Sequence, residues 1–346
     1  MILFFSDLHI HHTHRFSHIT PEGRTSRELE HLMCADKIID LVKKHNVDRI
    51  VFGGDLFAAV GDNLSTQCLD TACEFLTKLQ ENCKNVIIDL LVGNHDTSSH
   101  INNQYSHKLV AFKNWKNVNV YDQPIVCGNY VYMPFCINDL FATTFLENIE
   151  DKENKIVFSH LELKNINLGN GIFSQKGVDY KLLDEFKLCL QGHYHNGGKY
   201  GKKIYVSGST QRFSFKDQGI SRKNIILLDE ESNKVVRESF DCPDWLVFDD
   251  ENIDDVLKTN PNNYARVEVT SDIFLTEEIQ ERLKTFKGTD VHVDVTRITV
   301  NKKIEENFTV ENEVDVIKQF IDKSSNTEEQ KTALLQEGID LLNKVK

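Results

Sequence analysis

The chain has 346 residues, of which 40% are hydrophobic, and a formal net charge of −13. This length allows one large domain and a small one, and the mixed composition is that of an ordinary globular protein rather than a disordered or fibrous chain. The longest apolar runs are far below the roughly 20 residues of a membrane span, and no charged leader precedes the first strand, so we expect a cytoplasmic protein without a membrane segment.

Five short apolar runs are typical of buried strands, and each is followed by Asp, His or Asn. The runs cover residues 2–5, 50–52, 86–92, 156–158 and 188–191, and the polar residues that follow them are Asp7, His9, Asp55, Asn94, His160, His193 and His195. Ligands of open α/β sheets bind at the carboxyl ends of the strands. A single Asp, His or Asn at a strand end is more often a cap or turn residue than a ligand. Five strands that all end in this way are unlikely to arise by chance.

The predicted donors are oxygens and imidazole nitrogens, with no thiolate among them. This set favours Mn, Fe or Mg over structural zinc. Two such ions about 3.5–4 Å apart can hold a phosphate, generate a hydroxide and stabilise the leaving oxygen. Asp55 follows Gly53 and Gly54, which let the backbone turn tightly, so its carboxylate is a candidate bridge between the two ions.

The segments between these strands predict an α/β sandwich. Apolar residues at helical spacing predict helices over residues 26–45 and 65–81, and the alternation of strand and helix predicts parallel βαβ units. Shorter strands at 118–121 and 130–133 and a helix near 139–148 indicate a second sheet that packs on the first. We therefore predict a two-sheet core with the metals at one edge.

The sequence changes character at a boundary near residue 242. Residues 1–242 form the predicted main domain, and residues 243–301 predict a small α+β domain with β-α-β order. Residues 302–346 predict two amphipathic C-terminal helices, at 310–322 and 327–345, and the second begins with a Thr-x-x-Gln capping box.

Taken together, the motifs resemble those of the calcineurin-like metallophosphoesterases. The resemblance rests on Asp7-x-His9, Gly54-Asp55, Gly93-Asn94-His95-Asp96, His160 and Gly192-His193-x-His195, in that order. Residues 205–211, continuing to 224–228, are more narrowly similar to the SbcD-type DNA nucleases, which work with an SMC-like ATPase. The broad resemblance covers about residues 1–230, and it implies a metallophosphoesterase core with a small capping domain.

The resemblance also implies a role for each site residue. The first metal would be held by Asp7, His9, Asp55 and His195, and the second by Asp55, Asn94, His160 and His193. His95 would contact the phosphate and protonate the leaving group, with Asp96 orienting it. An imidazole whose pKa is near neutral can donate a proton to the leaving oxygen. A carboxylate hydrogen-bonded to the ring would fix its tautomer.

Four basic residues after the last motif are candidate DNA contacts. They are Arg212, Lys216, Arg222 and Lys223. The net charge is awkward for a nuclease, because binding the phosphate backbone normally needs a basic face. Two divalent ions would add positive charge at the site itself. For any single basic residue here, a solvated surface position is the more ordinary interpretation.

These features predict a Mn-dependent DNA exonuclease and endonuclease subunit acting in repair, recombination or replication. The resemblance implies DNA and an SbcC-like ATPase as partners, the latter held by the C-terminal helices in a two-plus-two assembly that would include a homodimer of this chain. The short chain and compact cap fit a phage member. The same two-metal core would also support a stand-alone phosphodiesterase or phosphatase acting on nucleotides or phosphoproteins. A metal-free binding scaffold is disfavoured because all the ligand types are present.

Three positions depart from the SbcD-type pattern. His11 stands where the first motif commonly continues to Gly, Ala58 stands where many relatives have a polar residue, and Ser159 replaces the usual Gly before the metal-binding His. None of these changes removes a predicted ligand. The Ala58 difference bears on which DNA end is processed.

Overall fold

The structure is a computed structural model, and its secondary structure follows the predicted alternation of strands and helices. It describes residues 1–12, 16–21, 23–61, 63–101, 104–166, 173–213, 215, 223–240, 242–293, 318, 321 and 327–345. The strands are β1 (Ile2–Phe5), β2 (Arg49–Phe52), β3 (Ile87–Leu91), β4 (Thr97–Ile101), β5 (Gln104–His107), β6 (Val118–Tyr121), β7 (Ile125–Cys127), β8 (Tyr130–Met133), β9 (Ile156–Ser159), β10 (Leu163–Lys164), β11 (Val178–Asp179), β12 (Leu188–Gln191), β13 (Gly198–Tyr200), β14 (Ile204–Val206), β15 (Asn224–Asp229), β16 (Lys234–Ser239), β17 (Trp245–Asp249), β18 (Tyr264–Val269) and β19 (Gly288–Val293). The helices are α1 (Ser26–His45), α2 (Thr66–Asn82), α3 (Asp139–Glu147), α4 (Tyr180–Leu183), α5 (Glu277–Leu283) and α6 (Glu328–Val345).

Two six-stranded sheets form the centre of the fold. The first has the order β16-β15-β1-β2-β3-β6, in which β1, β2, β3 and β6 run parallel and β15 pairs antiparallel with both β1 and β16. The second has the order β13-β14-β12-β9-β8-β7, with β14, β12, β9 and β8 parallel. The predicted two-sheet α/β architecture is therefore confirmed.

Apolar side chains from both sheets fill the space between them. Phe4 of β1 and Phe158 of β9 stack there with ring centroids 6.3 Å apart. Helices α1 and α2 contribute to a second apolar cluster with the first sheet, and α3 and α4 to a third with the second sheet. Each sheet thus has apolar side chains on both faces, which explains why its central strands are continuous apolar runs rather than alternating patterns.

Local signals explain where the long helices begin. The Thr25 side chain accepts a hydrogen bond from the Glu28 amide, and the Glu28 carboxylate accepts one from the Thr25 amide, which is a complete capping box. The Ser65 hydroxyl caps α2 by accepting from the Cys68 amide at 3.1 Å. The predicted helices at 26–45 and 65–81 are confirmed to within one residue.

The segment after β16 adds a small three-stranded parallel sheet. Its order is β17-β18-β19, and α5 packs on it around Val267 and Ile279. Tyr264 and Lys287 each donate a hydrogen bond to the buried Glu30 carboxylate of α1, both at 2.8 Å. These contacts attach the small sheet to the first helix of the main domain.

The chain divides into two compact units, Met1–Asp294 and Val295–Lys346. In the second unit, α6 begins with the predicted capping box, since Thr327 N donates to Gln330 Oε1 at 3.0 Å. Most of the predicted helix at 310–322 lies outside the described residues. The predicted domain boundaries near residues 242 and 301 stay predictions. Among the described residues, no helix is both long enough and apolar enough to traverse a bilayer.

Candidate metal centre

The ends of five parallel strands converge at one edge of the sandwich. Asp7 and His9 follow β1, Asp55 follows β2, and Asn94 follows β3, all in the first sheet. The second sheet supplies three imidazoles from the ends of its own neighbouring strands, namely His160, His193 and His195. The two sheets therefore supply complementary ligand types, with the acids from one and most of the imidazoles from the other.

One group of donor atoms surrounds His9. The ligand atoms of Asp7, His9 and His195 all lie within 4.8 Å of one another, and the Nε2 atoms of His9 and His195 are 3.0 Å apart. His9 Nε2 also lies 3.6 Å from Asp55 Oδ2. These four residues are the ones that the resemblance assigns to the first metal.

A second group surrounds His160. Its Nε2 lies 3.4 Å from Asp55 Oδ2 and 3.1 Å from Asn94 Oδ1, and His193 Nδ1 lies 3.0 Å from the same amide oxygen. Asp55 Oδ2 thus stands between His9 and His160. One carboxylate oxygen between two imidazoles is the geometry that a bridging ligand requires.

The burial of Asp7 is a further observation that favours divalent ions at this site. Asp7 is fully buried, and among the described residues its Oδ1 atom has no hydrogen-bond partner, while the Ser6 hydroxyl donates to the other carboxylate oxygen. The nearest cationic group to this oxygen in the described part of the chain is His9 Nε2, at 3.8 Å, and a buried carboxylate oxygen that accepts no hydrogen bond is costly unless a cation satisfies it. Oxygen and imidazole donors in this number suit Mn, Fe or Mg, and the residues present fit such ions.

The backbone holds the ligands in an unusual conformation. Asp7, His9, Asp55 and His193 all have positive φ, between 47° and 70°, although none of them is glycine. Non-glycine residues adopt this region at a cost and persist there where the surrounding structure holds them, often at functional sites. The strand ends thus turn sharply enough to direct these side chains into one place.

Two glycines keep space open beside the ligands. A Cβ atom on Gly93 would lie 2.1 Å from Asp55 Oδ1, and one on Gly54 would lie 2.3 Å from His160 Nδ1. The backbone at Gly54 and Gly93 therefore lies too close to the ligand side chains for any residue with a Cβ atom.

The tautomer of His160 follows from its second nitrogen. His160 Nδ1 lies 2.6 Å from the carbonyl oxygen of Gly53, so Nδ1 carries the proton and donates it there. The nitrogen that can give up its proton and bind a metal is therefore Nε2, which faces Asp55 and Asn94. A hydrogen bond of this kind orients a histidine ligand and raises its basicity.

His95 lies beside the centre, but its partner differs from the prediction. Its Nδ1 atom lies 2.7 Å from the Ala58 carbonyl oxygen. The Asp96 carboxylate instead accepts backbone hydrogen bonds at 2.9–3.1 Å from Gly93, Asp55, Leu56 and Phe57. The prediction that Asp96 orients the His95 ring is therefore corrected: Asp96 holds the two ligand loops together, and a main-chain carbonyl orients His95.

Burial and mutual charge shift the ionisation of these groups in the metal-free site. Burial would raise the pKa of Asp55, but the neighbouring imidazoles of His160, His9 and His95 together lower it, with His160 the largest of the three. Burial would lower the pKa of His160, but Asp55 raises it to about 9. Burial together with the charge of His160 lowers the pKa of His193 to about 4. Burial and the Asp55 charge raise the pKa of Asp96 to about 7.

Two of the four predicted DNA contacts are engaged inside the protein. Lys223 is only 2% exposed, and its ammonium donates to the His195 carbonyl and to the Ser209 hydroxyl, both at 2.9 Å. Arg212 forms an ion pair with Asp244. The prediction that Lys223 contacts DNA is therefore wrong, because its charge supports the loop that carries His195. Lys216 and Arg222 lie outside the described residues.

Two further residues near the metal centre were not predicted from the sequence. The Phe213 ring lies against His9 and His195, with centroids 5.1 Å and 5.5 Å away. Lys108 is buried and donates to the carbonyl oxygens of His95, at 2.9 Å, and of Ala59. Phe213 lies shortly after the last motif, a position that could have marked it. No local pattern marks Lys108.

One of the comparisons with known proteins shows the family of this chain. No curated protein matches the sequence. The crystal structure of the Pseudomonas putida nuclease MPE aligns over 68% of this chain and 87% of that one, with 14% identity and a TM-score of 0.29. Another crystal structure aligns over 69% of this chain and 98% of its own, with 10% identity and a TM-score of 0.41. Likenesses this low carry no conclusion about function. The family model of the calcineurin-like phosphoesterases matches residues 1–197, and the chain belongs to that family.

Proposed function

We propose that this protein is a two-metal DNA nuclease that hydrolyses phosphodiester bonds, with Mn as its preferred ion. The observation that carries the proposal is the position of Asp55 Oδ2 between His9 Nε2, at 3.6 Å, and His160 Nε2, at 3.4 Å. Two ions bound on either side of this oxygen would hold the phosphate and supply an activated water.

The residues of the chain have distinct parts in this reaction. Asp7 and His195 complete the donor group on one side of Asp55, and Asn94 and His193 complete the group on the other. His95 is the proton donor for the leaving oxygen. Because the Ala58 carbonyl binds the Nδ1–H group, His95 can donate from Nε2 only as the doubly protonated ring, which is the acid form that this step needs.

DNA is favoured as substrate by the segment that resembles the SbcD-type nucleases. This segment forms part of the wall of the site: Thr210 N donates to the Asp7 carbonyl at 3.3 Å, and the Ser207 hydroxyl lies 2.8 Å from the Ser6 hydroxyl. The small sheet β17-β18-β19 follows it and provides a second surface beside the main domain. Both features go beyond what hydrolysis of a small phosphoester requires.

The charge distribution favours a second candidate function. The net charge is −13, and Arg212 and Lys223 form internal contacts rather than a free basic surface. A stand-alone phosphodiesterase or phosphatase acting on nucleotides or phosphoproteins needs no extended basic face. We keep this activity as the alternative.

The proposed partner is an SbcC-like ATPase bound by residues 302–346, in a two-plus-two assembly. The support is the amphipathic sequence pattern of this tail and the separate unit that it forms. A chain truncated after Asn301 should keep its metals and its Mn-dependent cleavage but should no longer co-purify with the ATPase. Unchanged affinity for the ATPase would place the docking surface elsewhere.

One assay separates the two candidate functions. Purified protein is incubated with Mn, with Mg, or with both, on end-labelled duplex DNA and in parallel on a chromogenic phosphodiester. Cleavage of both substrates supports the nuclease. Hydrolysis of the chromogenic substrate alone, with intact DNA, would favour the small-substrate enzyme, and the His95→Asn variant serves as the control for contaminating nucleases.

A further inference from the structure

A cleft of about 580 Å³ lies beside the metal centre and has no part in holding ions. Its apolar lining comes from Ile10, Ala58, Ala59 and Leu64, and its polar lining includes His12 and Ser65. The volume falls in the range of small-ligand pockets, about 300–1,000 Å³. An apolar surface with a few polar groups is the lining that a nucleobase and its sugar require.

The cleft is built from the same two loops that carry the metal ligands. Ile10 N donates to the Leu56 carbonyl at 2.8 Å, and Ala58 N donates to the Ile10 carbonyl at 3.1 Å. These bonds continue the pairing of the chain after His9 with the chain after Asp55. The floor of the cleft is therefore fixed relative to the metals.

His95 connects the cleft to the reaction. Its ring is bound through Nδ1 to the carbonyl of Ala58, a residue that lines the cleft. The group attached to the oxygen that His95 protonates is the leaving group. A leaving nucleoside that extends past His95 towards Ala58 therefore enters the cleft.

One polar pair in the cleft can present a donor. The Ser65 hydroxyl oxygen accepts from the Cys68 amide at 3.1 Å and lies 2.9 Å from His12 Nδ1, and either atom of this second contact can be the donor. In one of the two arrangements the Ser65 hydroxyl donates to Nδ1. A neutral imidazole that accepts at Nδ1 carries its proton on Nε2. His12 can thus donate a hydrogen bond to a carbonyl oxygen of a base.

We propose that this cleft is the subsite for the nucleoside on the leaving-group side of the scissile phosphate. The inference rests on the proposed phosphodiesterase activity and deepens it by naming the part of the substrate that is recognised. Ala58 is the specificity-determining position, because its single methyl group leaves room that a larger side chain would fill.

Two substrates that differ in their leaving groups test the proposal. In the dinucleotide dTpdT the leaving group is a nucleoside whichever ester bond is cleaved. In thymidine 5′-(p-nitrophenyl) phosphate the nucleoside is retained and nitrophenol leaves. The cleft is filled from two sides by Ala58→Phe and Leu64→Trp, and Ala111→Phe is a matched control at an exposed position outside the cleft.

We expect both filled variants to raise the KM for dTpdT and to lower the ratio of kcat/KM for dTpdT over the chromogenic ester by at least about tenfold, the effect of a steric mismatch in a substrate pocket. The control should keep the wild-type ratio. Titration of Mn-loaded protein with thymidine gives a readout that does not depend on turnover: wild type should bind it, and both filled variants should lose at least about tenfold in affinity.

Failure of the subsite and failure of the nuclease proposal are distinguishable. If the wild type cleaves both substrates and the filled variants keep the wild-type ratio, only the subsite is overturned. The subsite is also overturned if one filled variant alone lowers the ratio, because the effect is then local. Hydrolysis of the chromogenic ester without any cleavage of dTpdT overturns the subsite, and intact duplex DNA in the parallel assay overturns the nuclease as well. If duplex DNA, dTpdT and the chromogenic ester all stay intact, the proposed function fails, and thymidine binding that is absent or equal in all variants overturns the subsite as well.

Discussion

The His95 amide donates a hydrogen bond to Asp55 Oδ1 at 2.9 Å, so the shared carboxylate and the proposed acid are linked through the main chain. The remaining oxygen, Oδ2, faces His9 and His160. Any ion held by Asp55 is therefore at a fixed position relative to the His95 ring. Metal binding and proton donation depend on the same short loop.

Replacing Asp55 with Asn should weaken both ions together. The amide carries no negative charge, so its oxygen binds two cations far more weakly than the carboxylate oxygen Oδ2 does. His9→Ala should weaken mainly the ion on its own side. We expect metal analysis to find two tightly bound ions per wild-type chain, one in His9→Ala and none in Asp55→Asn. Two tight ions in Asp55→Asn would show that the bridge lies elsewhere.

Replacing Gly93 with Ala should also disturb the bridge, although glycine binds no metal. The added Cβ would lie 2.1 Å from Asp55 Oδ1 and 2.3 Å from Asp55 N, and neither atom can move without displacing the ligand loop. Gly198→Ala is the matched control, because its nearest neighbour would be Tyr200 Cε2 at 3.9 Å. We expect loss of metal and a lower Tm for Gly93→Ala alone. Equal metal content in the two variants would contradict the close packing.

Replacing His95 with Asn should separate chemistry from metal binding. The His95 ring lies within 4.8 Å of the ligand atoms of His9 and Asp55, so metal content must be measured alongside activity. We expect both ions to remain and kcat to fall by roughly 10²–10⁴-fold on DNA, as for loss of a positioned acid. The loss should be smaller with a nitrophenol leaving group, which departs without a proton. Loss of an ion from this variant would make His95 a ligand.

Metal affinity should rise with pH between 7 and 9. Burial would lower the pKa of His160, but the Asp55 carboxylate raises it to about 9, so the metal-free ring is protonated at pH 7. A metal ion binds the neutral ring, so binding must release this proton. Calorimetric titration with Mn in two buffers of different ionisation enthalpy should show the release. Equal heats in both buffers would rule it out.

The same pair of residues predicts how the metal-free fold responds to pH. The folded pKa of His160 lies above its ordinary value of 6.5, so its pairing with Asp55 stabilises the fold fully below pH 6.5. This contribution is lost as the pH rises through about 9. The Tm of the metal-free protein should therefore fall over this window. His160→Gln, which cannot titrate, should show a smaller fall.

Much of the fold could be predicted from sequence because the signals are local. Apolar runs set the strands, and the capping residues Thr25 and Ser65 set the starts of α1 and α2. The positions of the site residues at strand ends could be inferred because parallel strands end together. The contact that orients His95 could not be predicted, because it is made by the main-chain carbonyl of Ala58 and every residue type has such a carbonyl.

The roles of the charged residues depend on contacts that the sequence does not show. Lys223 follows a ligand motif and suggested a surface contact, but the packing of its loop buries it against the His195 carbonyl. Asp96 adjoins His95 in sequence, yet its carboxylate faces the backbone amides of two loops. Burial decides the role of a charged side chain, and burial at a loop depends on contacts between residues distant in sequence.

Lys108 should act as a positioning residue for His95. Its buried ammonium donates to the carbonyls of His95 and Ala59, and so ties together the loop that carries the acid and the loop that orients it. Lys108→Met removes both hydrogen bonds. We expect kcat on DNA to fall by about 10–100-fold, as for other residues that orient a functional group, with both ions retained.

The control for Lys108→Met is Lys113→Met, because Lys113 is more exposed and its ammonium pairs with the Asp122 carboxylate, whereas Lys108 binds the His95 and Ala59 carbonyls. Lys108→Arg keeps a cationic donor and should restore part of the activity. A residue that positions the acid should matter less when the leaving group needs no proton, so the nitrophenyl ester should be hydrolysed with a smaller loss than DNA. An equal loss on both substrates, or loss of metal, would mean that Lys108 supports the ligand loops as a whole and not His95 in particular.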